Sequence, residues 1–269
     1  MFGKLLKYDF RSMLKQFALI WPAALALALV NRFTLKHFVT STSSAMETIS
    51  GITMLVYIAI LMAMFIIAVI FVIQRFYKGL LGDEGYLMFT LPVRSWQLIG
   101  SKLVCAVVVT FVSILVAIAS ILLIVPISGA DLQAIWREVL AHIGTGDFIR
   151  SMLTLLLSFL LDMARGFLLL YLAMAVGHLF SKNRMLWSFV AYIGITIAAS
   201  LVENQVNQIF APNLHSAVFG LVISGFDTLP TITPPPTSEF WISLAVSAAL
   251  SALYFALTNY ILKHRLNLE

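Results

Sequence analysis

An all-α, polytopic membrane fold with six spanning helices is what this chain predicts, and three observations carry the prediction. Of its 269 residues 61% are hydrophobic. Only 11% are charged, against roughly 25% in an ordinary soluble domain, too few to coat a water-soluble particle of this size. The apolar residues fall in long blocks rather than in alternation, which also excludes outer-membrane barrel strands, whose lipid-facing and lumen-facing residues alternate. At ~20 residues per span the chain has room for five to seven crossings, and none for a soluble catalytic domain of typical size.

The opening segment, an expected interfacial helix over 1–16, has Phe2, Leu5, Leu6, Phe10, Met13 and Leu14, continued by Phe17, on one helical face and Lys4, Lys7, Arg11 and Lys15 on another. That segregation predicts an amphipathic helix lying in the membrane interface, its basic face suited to an anionic leaflet. A first span follows over 17–33, with Pro22 near its start. Ala26, Leu27 and Ala28 mimic a signal-peptide cleavage site, but the patterned segment before the apolar run favours an uncleaved span.

The second span, 53–73, holds no charged residue, and the third, 103–124, is stopped by Pro126 and Gly129. Next, Leu132, Ile135, Trp136, Val139, Leu140 and Ile143 recur at helical spacing opposite Asp131, Arg137 and Glu138, which describes a second surface helix. The fourth span, 148–180, is longer than one perpendicular crossing requires. A fifth runs over 187–202 and a sixth over 240–262. Between these two, 203–239 carries no Lys or Arg and ends in Pro234, Pro235 and Pro236; it is expected either as a re-entrant pair of short helices or as an external loop.

Six spans put both termini on one side. Lys4, Lys7, Arg11, Lys15, Arg75, Lys78, Arg94, Lys102, Lys182, Arg184, Lys263 and Arg265 share that side, and only Arg32, Lys36, Arg137 and Arg150 oppose them. The positive-inside rule therefore predicts cytoplasmic termini in a plasma membrane. The same placement assigns the net charge of +5 to membrane orientation rather than to nucleic acid. The single Cys105 lies in an apolar stretch and permits no intramolecular disulfide.

The connection 74–102 is the most informative segment. Asp83 and Glu84 sit between Gly82 and Gly85, then Tyr86, Leu87, Phe89 and Leu91 precede Pro92, Arg94 and an amphipathic lead into the third span. Exposed aromatics on a cytoplasmic loop need something to dock against. Here the sequence resembles the permease subunits of ABC-2-type ATP-binding cassette exporters. Glu84-Gly85, the apolar run Leu87 to Leu91, Pro92 and Lys102 follow in the order of that family's connection between its second and third spans. The run from Gly82 to Pro92 is also similar to a subgroup from Gram-positive bacteria. The resemblance implies that this connection is a coupling helix seated in a cleft of an ATPase subunit, with Asp83, Glu84, Gly85, Tyr86, Leu87, Phe89, Leu91, Pro92 and Arg94 as its coupling residues. It also implies an interfacial amphipathic helix at the N-terminus, matched by Phe2 to Gln16. No G-x-x-x-x-G-K-[ST] phosphate loop occurs, so ATP and Mg are expected on separate ATPase subunits, with no cofactor in this chain. A second permease chain, identical or related, and membrane lipids are the other expected partners.

Asp162 and Arg165, three apart in the fourth span, are expected as an ion pair near the outer headgroups or as part of a substrate pathway or dimer contact. The five histidines show no metal-ligand spacing such as H-E-x-x-H. Asp162 is the sole acid well inside an apolar run, and His178 has no serine partner that can be named, so an intramembrane protease is not expected. The remaining alternative is a non-transport membrane scaffold or regulatory subunit.

Overall fold

The computed structural model describes residues 2–40, 44–81, 95–124, 133, 137, 146–180, 182–210 and 237–264. Their regular structure is helical throughout. Six helices are long and apolar enough to cross a membrane: α1 (Phe2–Thr40), α2 (Ser44–Phe76), α3 (Ser95–Ile124), α4 (Gly146–Gly177), α5 (Arg184–Phe210) and α6 (Thr237–His264). A five-residue π-helix, Tyr77–Leu81, extends α2.

Several expected boundaries move. Residues 2–16 are helical but do not form a separate element, because α1 runs unbroken through the expected junction at Phe17 and carries Pro22 inside it. A proline is tolerated within a spanning helix when neighbouring groups re-satisfy the freed carbonyl. The helix that holds the third expected span begins at Ser95, before residue 103, and the helix that holds the fifth reaches Phe210, past residue 202. Residues 203–210 are thus helical and continuous with α5. Residues 211–236, and the expected surface helix over 132–143 apart from Gln133 and Arg137, lie outside the described residues.

The chain divides into two compact units, Met1–Ile135 and Trp136–Glu269. In the first, side-chain bonds set the helix directions. Asn31 bonds the Thr53 carbonyl and Arg75 bonds Asp9, so α1 and α2 are antiparallel. Trp21 bonds Ser113 and Arg32 bonds the Leu123 carbonyl, so α1 and α3 run parallel. The interior face of α3 presents Ser101, Cys105, Ala106, Val109, Ser113, Ala117 and Ser120, all buried. Small residues let helix backbones approach closely, and their hydroxyls supply interhelical bonds that hydrocarbon cannot. Ser120 donates to the Ala117 carbonyl at 2.8 Å and shares a 2.7 Å bond with the Tyr57 hydroxyl. Around that pair pack Ala28, Ile124, Leu27, Leu61 and Leu123.

In the second unit α4 packs on both α5 and α6. Its buried face, Phe167, Leu168, Tyr171, Leu172 and Ala175, falls in its C-terminal half. From α6, Tyr254, Thr258 and Leu262 recur every four residues as one buried stripe. The α4–α5 turn is tight: a β-carbon on Gly177 would lie 2.6 Å from the Ser188 backbone, so only glycine fits. Asn183 completes the reversal with φ of 53°, a left-handed conformation that asparagine tolerates, and Phe180 stacks on Trp187 with ring centroids 4.3 Å apart.

Candidate functional site

The expected coupling residues Asp83, Glu84, Gly85, Tyr86, Leu87, Phe89, Leu91, Pro92 and Arg94 all lie outside the described residues. What the structure gives is the frame that holds the two ends of their segment. On the leading side, Gly79, Leu80 and Leu81 of the π-helix are buried. On the returning side Leu98, Ile99, Ser101 and Lys102 are buried on the first two turns of α3. Segment 82–94 is thus held at both ends by packed helix rather than by polar linkers.

Between those two ends sits a cluster of ionised side chains that brings in α1. The Asp9 side chain, 4% exposed, accepts from Arg75 Nε at 3.0 Å and from Arg75 Nη2 at 2.5 Å through Oδ1. The single Ser101 hydroxyl proton is shared between the Leu98 carbonyl at 3.0 Å and, more weakly, Asp9 Oδ2 at 3.5 Å. Arg75 Nη1 donates to Ser12 Oγ at 3.4 Å. Lys102, also buried, lies against Gly79, where a β-carbon would stand 2.5 Å from its ammonium nitrogen. One step further along α3, the Cys105 thiol points at the Leu6 carbonyl, 3.7 Å away. A buried carboxylate is expensive unless paired and hydrogen-bonded, and Asp9 has both kinds of partner from two other helices. The cluster therefore ties α1 to the root of segment 82–94 on both of its sides.

Beside it lies a cavity of about 190 Å³ lined by Ser12, Gln16, Phe71, Gln74, Arg75 and Lys78, with Met13 at its wall. Two cations and three neutral polar side chains face it, and no carboxylate lines it among the described residues.

In the second unit the Asp162 and Arg165 pair forms, at 3.7 Å, but it is the looser half of a larger group. Arg165 Nη1 makes its close contact with Glu203 of α5, and the Ser247 hydroxyl of α6 donates to Asp162 Oδ1 at 3.2 Å. The three described helices of this unit therefore meet at one charged group. Two carboxylates share one guanidinium, which gives the group a formal charge of −1.

Asp9 and Glu203 are the charged residues that sequence reasoning missed. Asp9 had a signal: it falls at the centre of the face formed by Leu5, Leu6, Phe10 and Met13, where an acid must find a partner. Glu203 had a weaker one, lying one residue past the last apolar position of the fifth span.

Among the described residues no three His, Cys, Asp or Glu side chains gather as a metal-binding group. No family model, curated protein or solved structure matches the chain.

Proposed function

We propose that this chain is the permease subunit of an ABC-2-type exporter in a bacterial plasma membrane, with both termini cytoplasmic and no catalytic chemistry of its own. Separate ATPase subunits hold and hydrolyse ATP with Mg, and a second permease chain, identical or related, completes the transmembrane pathway. ATP binding draws the ATPases together. That motion reaches the membrane through segment 82–94, whose two global states make different contacts with the ATPase cleft.

The observation that carries this proposal is the ordered run Glu84-Gly85, Leu87 to Leu91, Pro92 and Lys102, set between two helices whose facing ends are buried and tied through Arg75, Asp9 and Ser101. A docking element transmits force only if its ends do not yield, and such a frame meets that need. The six membrane-suited helices support it further. A run of apolar residues in the connection between two spans serves no purpose in a passive scaffold.

The test begins with the gene neighbourhood, where an ABC ATPase should be encoded beside this chain, and continues with co-purification of the two and reconstitution. The pair should hydrolyse ATP faster than the ATPase alone. Glu84→Ala combined with Phe89→Ala should abolish that stimulation while membrane insertion stays unchanged. An ATPase that neither co-purifies nor responds, or a doubly substituted chain that still stimulates fully, rejects the proposal.

A further inference from the structure

The cavity beside Arg75 is not used by the proposed transport mechanism, and its lining selects a ligand class. Its polar side is built from Ser12 and Gln16 of α1, Gln74 and Arg75 at the end of α2, and Lys78 of the π-helix. Of the five guanidinium N–H groups of Arg75, three are directed at Asp9 and Ser12, leaving two for another acceptor. Lys78 is exposed. Its ammonium adds a second positive charge with three donors of its own. Among the described residues the lining holds no carboxylate, and although Asp9 takes one side of Arg75, Lys78 leaves the site with a net positive charge, so its chemistry is that of an anion receptor with several convergent donors.

Size and position narrow the class. At about 190 Å³ the cavity falls below the roughly 300–1,000 Å³ of a drug-sized site, and suits one small charged group. It lies where the uncharged stretch of α2, 53–73, gives way to Gln74 and Arg75. Because α1 and α2 are antiparallel, Leu19, one turn beyond Gln16, and Ile70, one turn before Gln74, both lie on the apolar side of it, 80% and 43% exposed. A ligand with an anionic head in the cavity has apolar helix surface directly beneath for a hydrocarbon tail. Basic pockets between spanning helices at the charged end of a bundle bind anionic headgroups in this way.

We infer that the cavity formed by Ser12, Gln16, Gln74, Arg75 and Lys78 is a binding site for the phosphodiester headgroup of an anionic lipid. This depends only on the membrane-spanning character of the chain, not on its acting as an exporter. Lys7, Arg11 and Lys15 are exposed on the same helix, and they draw anionic lipid to the vicinity without defining a site. The cavity holds one lipid in a fixed place.

The experiment uses the full chain in nanodiscs of phosphatidylcholine doped with increasing phosphatidylglycerol, with lipid retained after release into detergent counted by native mass spectrometry. One phosphatidylglycerol should stay bound per chain in excess of phosphatidylcholine. Lys78→Ala should weaken its retention about five-fold, in line with ~1 kcal/mol per cation near a membrane surface. Gln16→Ala, which changes no charge, should weaken it about two-fold, in line with the lower end of ~0.5–1.5 kcal/mol per hydrogen bond. Lys7→Ala with Arg11→Ala and Lys15→Ala should leave it within two-fold. Inorganic phosphate at millimolar concentration should fail to displace the lipid. The inference is overturned if the triple substitution removes the lipid and Lys78→Ala does not, since the attraction is then diffuse. It is overturned equally if inorganic phosphate competes as well as the lipid, or if phosphatidylcholine is retained to the same extent.

Discussion

Lys102 and Gly79 meet at the root of the segment 82–94, the lysine ammonium occupying the space where any other residue at 79 would place its β-carbon. The contact joins the π-helix after α2 to the second turn of α3. It explains why a glycine stands in the third position of that π-helix, where backbone flexibility alone would favour another residue.

Gly79→Ala should therefore displace the Lys102 ammonium, the movable end of a flexible side chain, and that displacement should offset most of the ~1 kcal/mol of helix propensity that alanine gains over glycine. In a Lys102→Ala background the same substitution should show the gain in full. Thermal unfolding of the four chains in detergent gives the coupling directly, and an equal effect of Gly79→Ala in both backgrounds contradicts the contact.

The two ends of the Asp9 and Arg75 pair are unequally buried, 4% against 34%, and that inequality has a direction. Arg75→Leu strands a buried carboxylate and should cost on the order of 3–5 kcal/mol. Asp9→Asn leaves the arginine with access to water, and should cost roughly 1–3 kcal/mol. Chemical or thermal unfolding that ranks Asp9→Asn as the more damaging change rejects this geometry.

In the second unit, Arg165 leans on Glu203 more than on Asp162, whose side chain is 53% exposed and 3.7 Å away. Glu203→Gln should reduce the melting temperature more than Asp162→Asn. Equal effects, or the reverse order, place the stronger partner on the wrong helix.

Tyr57→Phe deletes only the phenolic oxygen from its 2.7 Å bond with Ser120, while Ser120 keeps its bond to the Ala117 carbonyl. The cost should be about 0.6 kcal/mol, the average for such bonds between spanning helices. A loss above about 2 kcal/mol would mean that the hydroxyl does more than join α2 to α3.

Six spanning segments were legible in the sequence because hydropathy registers the apolar middle of a helix. Helix ends were not, since a helix continues past its last apolar residue wherever its backbone bonds and side-chain partners allow. Thus α3 starts at Ser95 among polar residues and α5 carries on through Glu203 and Asn204. The Asp162 and Arg165 pair was legible from three-residue spacing on one helix. Its stronger partner, Glu203, lies 38 residues away, beyond any local pattern. Asp9 was hidden for the same reason, its partners being 66 and 92 residues further on.

That separation bears on how the protein is made. While the ribosome is still producing the apolar middle of α2, the acidic group of α1 has neither guanidinium nor hydroxyl to receive it, so this part of α1 must wait at the aqueous edge of the insertion machinery. The end of α2 brings the guanidinium, and α3 then closes over the pair. Seating of this part of α1 thus follows the completion of α2, and a chain truncated before Arg75 should leave it accessible to a water-borne protease.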